Sequence, residues 1–274
     1  MTAHDAILSK AKDLYEDKMM KNNISEQEIR KVFDKAATLL PGTKYVVCKL
    51  ENDIDYAGYY QSKGYNYAVL FYFPLDENVW EGYTEERMAV LQTRCFPDAG
   101  RLGEYVQKLC DEAGIPYHIP SIPCDHMTPP YISPLSVKAI GVKAGAGWIG
   151  KSDLLITYEY GPKITTAGAL FYADDFTVGT PVTENHCGNC HRCVDACPFH
   201  NIYGNSWHEG VTRDELVDYH NCSVCRYNSS TSESTDIPGV GRKMACCGCM
   251  MACPVGIKNV LKVIEENAER KKYA

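Results

Sequence analysis

An α/β fold is predicted for residues 1–180, with a mainly parallel central sheet, followed by a cysteine-rich module over 181–257 and a closing helix over 258–274. Three observations predict it. Short runs rich in Val, Phe and Tyr alternate with segments of helical period, the order that lays helices on a sheet. One run, Asn66-Tyr-Ala-Val-Leu-Phe-Tyr-Phe73, is apolar on both faces and reads as a central strand. All of the 14 cysteines except Cys48, Cys95, Cys110 and Cys124 then fall between 187 and 253.

The elements follow in order. Ile7, Leu8, Ala11, Leu14, Tyr15 and Met19 keep helical spacing, which predicts a helix over 2–21 ended at Asn22-Asn23. Ser25-Glu-Gln-Glu28 has capping-box spacing, so a second helix starts there and runs through Leu40 to a stop at Pro41-Gly42. Tyr45–Leu50 reads as a strand, and Pro74 ends the central one. Thr84-Glu-Glu-Arg87 opens a helical stretch to Cys110, interrupted around Pro97, and Gly114 precedes a short strand at 115–119. Five prolines between Pro120 and Pro134 predict an ordered loop or lid. Ser133-Pro134 then starts a helix from Leu135 to about Ala144. Leu154–Tyr158 and Ile164–Phe171 are expected to pair with each other, turning at Gly161-Pro162. Val255–Arg270 is the last helix, its basic end complementing the helix dipole.

Composition narrows the function. A chain of 274 residues with 45% apolar content has a real core. A net charge of −7 argues against whole-surface attraction to nucleic acid and leaves a local basic face open. The polar N-terminus lacks a signal peptide, and no apolar run approaches a membrane span, so a cytoplasmic location without membrane contact is expected. In a reducing compartment, this many cysteines imply metal rather than disulfides. Tyr (19) outnumbers Phe (7), which suits half-buried sheet or the lining of a flat pocket.

The cysteine spacing names the metal chemistry. Cys187, Cys190, Cys193 and Cys197-Pro198 read C-x2-C-x2-C-x3-C-P, the bacterial run for iron–sulfur clusters, in which the fourth Cys serves the other cluster. Cys246, Cys249 and Cys253-Pro254 repeat its second part, and Lys243 stands where the first Cys of that half would be. By the crossing rule Cys187, Cys190, Cys193 and Cys253 bind one four-iron cluster. Cys197, Cys246 and Cys249 bind the other with Cys222 or Cys225; Cys222 is preferred. The two Cys-Pro halves form a pseudo-symmetric ferredoxin-like module, with Pro198 and Pro254 each in the first turn of a helix. Cys247 is a spare or an alternative ligand. Zinc prefers two separated C-x2-C pairs.

Two other motifs are weighed and set aside. Gly145-Ala-Gly-Trp-Ile-Gly150-Lys151-Ser152 matches the phosphate loop G-x4-G-K-[ST]. A phosphate loop follows a strand and opens a helix, and here the order is inverted. Its glycines let the backbone pass close to something bulky, a cofactor or the core. Asp218-Tyr-His220-Asn-Cys-Ser223 falls one residue short of the D-x-H-x-x-G run that ligates cobalt, and Cys222 lies inside it.

The stretch from Ser133 to Thr157, including Ala144-Gly145-Ala-Gly147-Trp148-Ile-Gly150-Lys151-Ser152, resembles the epoxyqueuosine reductase family, whose G-W-x-G-K-N segment also precedes a double-cluster module. The likeness is strong over 133–257. It implies an oxygen-sensitive, anaerobically handled oxidoreductase related to the reductive dehalogenases. Such an enzyme passes electrons from a donor such as a ferredoxin or flavodoxin through two [4Fe–4S] clusters to a cobalamin centre. By that resemblance Gly147, Trp148, Gly150, Lys151 and Ser152 border the cofactor. The family's catalytic Asp is matched by Tyr131, a phenol able to donate a proton. The family's C-terminal repeat extension and a basic tRNA-binding stretch are not found, so tRNA is expected to be an unlikely partner. A small molecule or a partner redox protein is expected instead. A cluster-only electron carrier without cobalamin is the alternative.

Overall fold

The computed structural model describes residues 24–51, 59–75, 85–120, 135–222 and 247–272. The helix expected over 2–21 and most of the proline-rich loop lie outside them. The order is α1 (Glu26–Ala37), β1 (Lys44–Lys49), α2 (Tyr59–Ser62), β2 (Tyr67–Pro74), α3 (Glu85–Ala113), β3 (Tyr117–His118) and α4 (Val137–Lys143). Then come β4 (Gly147–Ile149), β5 (Leu155–Thr157), β6 (Ile164–Phe171), α5 (Arg192–Asp195), α6 (Arg213–Leu216), α7 (Gly248–Ala252) and α8 (Ile257–Lys272).

The capping box predicted at Ser25 forms. The Ser25 backbone N–H donates to Glu28 Oε2 at 2.9 Å, and the Glu28 N–H reaches Ser25 Oγ at 3.4 Å. This satisfies two of the N–H groups that a helix start leaves without partners. α3 runs unbroken through Pro97, which is exposed, so the expected interruption does not occur. A proline on the solvent side costs one hydrogen bond and need not end a helix whose neighbouring turns are packed.

The main sheet has the order β1-β2-β6-β3, and each pairing in it is antiparallel. This corrects the expected parallel sheet. β2 is central and buried along its length, as its apolar run predicted. That run reflects cover on both faces, which direction does not require. Strand alternation sends Tyr67, Val69, Phe71 and Phe73 against α1 and α3. Ala68 and Leu70 go to the other face, against α4 and residues of the cysteine-rich segment. On the first face Phe33 of α1 is fully buried and meets Phe71, Phe171 and Tyr45 edge-on at 5.6, 5.3 and 5.5 Å.

β5 does not pair with β6. It pairs with β4 in a separate two-stranded ribbon, Gly147↔Thr157 to Ile149↔Leu155. The turn between them is closed by the Asp153 N–H on the Gly150 carbonyl at 2.9 Å. The matched phosphate-loop motif is therefore a hairpin that follows α4, in agreement with its exclusion. Among the described residues no helix is long and apolar enough to cross a membrane.

Candidate metal centre

Both cysteine runs coil in the same way. In the first, the Cys190 N–H closes a turn on the Cys187 carbonyl at 3.0 Å, α5 carries Cys193, and the Cys197 N–H reaches the Val194 carbonyl at 3.2 Å. In the second, α7 carries Cys249, and the Cys253 N–H reaches the Met250 carbonyl at 3.3 Å. The three-residue spacer is one helical turn in each. α5 and α7 pack together, with Gly248 over the Ala196 carbonyl, where a Cβ would lie at 3.1 Å. The helix expected to open at Pro198 is absent. Pro198-Phe199 is a turn closed by the His200 N–H on the Cys197 carbonyl at 3.2 Å, and α8 starts only after Val255-Gly256.

Folding places Cys253 of the second run near Cys187 and Cys190 of the first. Burial raises the proton affinity of the Cys193 thiol, and the charges of Cys187 and Cys253 raise it further. Burial does the same at Cys253, where the Val255 N–H and Lys163 oppose it and Cys187 and Cys190 add to it. Cys193 thus senses one thiol of the other run, and Cys253 senses two. Among the described residues no disulfide joins the cysteines, and no three His, Cys, Asp or Glu side chains close on a single ion. Soft thiols in runs of this sequence spacing suit a cube of iron and sulfide. Ligation would relieve the cost of ionising them.

N–H donors also reach Cys187 and Cys197. The Trp148 indole Nε1 donates to Cys187 Sγ at 3.4 Å, and the Asn201 backbone N–H donates to Cys197 Sγ at 3.4 Å. With its amide oriented to suit its neighbours, Asn201 also accepts the Cys222 N–H at 3.1 Å. One buried residue therefore links Cys197 to Cys222, the preferred fourth ligand of the second set. Cys249 packs on the same apolar cluster as Cys197. Cys246, Cys225 and Tyr131 lie outside the described residues.

Lys163, at 1% exposure, donates from Nζ to the Cys253 carbonyl, and burial lowers its affinity for a proton. Beside it, Gly161 has φ +60, and a Cβ there would lie 2.2 Å from the Val255 carbonyl oxygen. The turn before β6 is thus set backbone-to-backbone against the segment after Cys253. Sequence reasoning missed Lys163 and Asn201. Gly-Pro-Lys marks a turn, but nothing in it signals burial beside a cysteine.

The residues expected at a cofactor occupy the β4–β5 hairpin. A Cβ at Gly147 would lie 1.9 Å from the Ile156 carbonyl oxygen, and one at Gly150 would lie 2.9 Å from Ile156 Cγ1. Of the two readings left open for these glycines, the core accounts for both. Trp148 and Lys151 are buried, and Ser152 lies in the turn. Trp148 meets His186 edge-on at 4.9 Å and Tyr158 at 5.4 Å, and Tyr158 Oη is 3.1 Å from His186 Nε2.

Comparison with known proteins follows from this geometry. No family model matches the chain. Epoxyqueuosine reductase of Gloeobacter violaceus is 29% identical over 131 residues, 46% of this chain and 37% of that protein. That of Cellulophaga algicola is 44% identical over 66 residues, 24% of this chain and 21% of that protein. These alignments thus span little more than a third of the relatives' length at most. Among solved structures, a catabolic reductive dehalogenase aligns over 81% of this chain and 31% of its own, with TM-score 0.56 and 15% identity. Epoxyqueuosine reductase from Bacillus subtilis, with its catalytic loop swung out of the active site, aligns over 84% and 65%, with TM-score 0.52 and 16% identity. At such identities the likeness is one of fold. An epoxyqueuosine reductase with a tRNA-Tyr epoxyqueuosine-modified stem loop aligns over 85% of this chain and 66% of its own, with TM-score 0.50 and 16% identity. That structure overturns the expectation that tRNA is an unlikely partner. Net charge describes a whole surface, whereas a binding face is assembled from side chains scattered in sequence. The chain is thus similar in sequence to epoxyqueuosine reductases over part of its length, and in fold to an epoxyqueuosine reductase and a reductive dehalogenase.

Proposed function

We propose that the chain is an iron–sulfur reductase that passes electrons from a donor such as a ferredoxin or flavodoxin to a cobalamin-type centre for a reductive reaction. Cys187, Cys190, Cys193 and Cys253 hold one [4Fe–4S] cluster. Cys197, Cys222, Cys246 and Cys249 hold the other. The observation that carries this reading is the packing of α5 on α7, which joins two cysteine runs that are distant in the chain.

When bound, the clusters supply one-electron transfer and the corrinoid a strongly reducing metal. The protein's part is positional. Partial burial shields the sulfurs of Cys193 and Cys253 from some of the solvent. Trp148 and Asn201 direct N–H groups at ligand sulfurs. Lys163 holds the Cys253 backbone against the sheet. Gly147, Trp148, Gly150, Lys151 and Ser152 present the hairpin that borders the corrinoid. Tyr131 donates the proton from its phenol, whose ordinary pKa of about 10 suits a strong developing base. The sequence relatives carry the name epoxyqueuosine reductase, so a modified nucleoside in a tRNA stem loop is the first substrate to test.

Iron, sulfide and cobalt are to be measured per chain in protein purified without oxygen and supplied with cobalamin. About eight irons, about eight sulfides and one cobalt are expected for two cubes and one corrinoid. Zinc, or far less iron, rejects the proposal. A second reading, a cluster-only electron carrier, is favoured by Gly147 and Gly150, whose lack of side chains the hairpin's own packing explains. Full clusters with no retained cobalt select it. Salt-sensitive binding of the stem loop tests the substrate separately.

A further inference from the structure

We infer that Trp148 sets the reduction potential of the cluster held by Cys187, and of that cluster alone. The inference rests on the two-cluster reading above. An N–H donor on a ligand sulfur draws charge from the thiolate and stabilises the reduced, more negative cluster, which raises its potential. The Trp148 indole N–H is 3.4 Å from Cys187 Sγ. The donor is built in: Trp148 is 4% exposed, so little water competes, and β5 pairs with the backbone on either side of it. Its ring is gripped by His186 and Tyr158, which are joined to each other at 3.1 Å.

Cys197 of the second set is supplied differently. Its donor is the Asn201 backbone N–H, which any residue but proline would provide. The Trp148 bond is a side-chain property of one residue outside both cysteine runs. The α/β part of the chain therefore reaches the cluster at Cys187 through a side chain. Trp148 acts through Cys187, as a positioning residue.

The test is Trp148→Phe in the full chain, purified without oxygen, with potentials read by a redox titration followed by electron paramagnetic resonance. Phe retains an aromatic ring and removes the donor. Iron and sulfide should stay at the wild-type content, one reduction wave should move to more negative potential, and the other should not move. A second measurement covers a variant that loses its cluster. Unaltered protein grown with 15N-indole tryptophan should show coupling of that nitrogen to a reduced cluster in pulsed resonance spectra. The coupling should persist in Trp80→Phe and Trp207→Phe. Unmoved waves at full iron content, equal movement of both waves, or no nitrogen coupling overturns the inference and leaves the two-cluster reading intact. Wild-type protein with less iron than two cubes overturns both.

Discussion

The two faces of β2 are packed by alternate residues of one strand, yet they are built on different principles. The face toward α1 and α3 closes on aromatic rings: Phe33 is fully buried among Phe71, Phe171 and Tyr45. Burial there pushes the Cys110 thiol up to about 12 and the Tyr117 phenol well above its ordinary value. The opposite face sets Ala68 and Leu70 against α4 and against Cys197, Ile202, Leu216 and Val217 of the cysteine-rich segment. One face is thus closed by aromatic rings of the α/β part, while the other is finished by the cysteine-rich segment.

This contrast can be broken or sharpened by experiment. The largest effect is expected from Cys253→Ala, which should lower iron from about eight to about four atoms per chain. Its loss should leave hydrogen-exchange protection in α1 and α3 unchanged. Iron that stays at the wild-type level would show that the two runs do not share ligands. Next comes Phe33→Ala, which opens a cavity on the aromatic face and should cost about 3–5 kcal/mol in denaturant unfolding. If the faces are independent, its iron content is normal; a loss of iron would couple them. Gly147→Ala forces a methyl group to within 1.9 Å of the Ile156 carbonyl oxygen. A cost of about 2–3 kcal/mol is expected, together with a weakened hairpin and a disturbed Trp148.

The smallest effect concerns acid. Burial holds the His118 imidazole, stacked on Tyr65, below its ordinary 6.5. The unfolded chain then binds the proton more readily than the folded one. This contribution to stability is complete above pH 6.5 and is lost as pH falls below it. A His118→Gln variant should show a flatter acid limb between pH 7 and pH 5, measured by thermal unfolding. An identical limb in both proteins would place the acid sensitivity elsewhere.

Much of this was legible in the chain. Ser25 and Glu28 announced a helix start because a capping box is local chemistry, complete within four residues. The apolar run of β2 announced a central strand because burial leaves its mark on composition. Strand direction left no such mark: helices cover both faces of this antiparallel sheet as they would a parallel one. The partner of β5 was misread because β4 is three residues long and was taken as part of a glycine-rich loop. The tRNA expectation, drawn from a missing basic stretch and repeat extension, was overturned by a fold neighbour solved with a tRNA stem loop.

Cysteine type, spacing and the two Cys-Pro ends were sufficient to propose the thiolate ligands, since cluster ligation is encoded in short runs. Tertiary structure alone decided what surrounds those sulfurs. It put the Trp148 indole on Cys187, the Asn201 N–H on Cys197 and the Lys163 amine on the Cys253 carbonyl. The physical reason is range. Ligand spacing is a property of neighbours in the chain, whereas a hydrogen bond across 39 or 90 residues exists only after the sheet has folded.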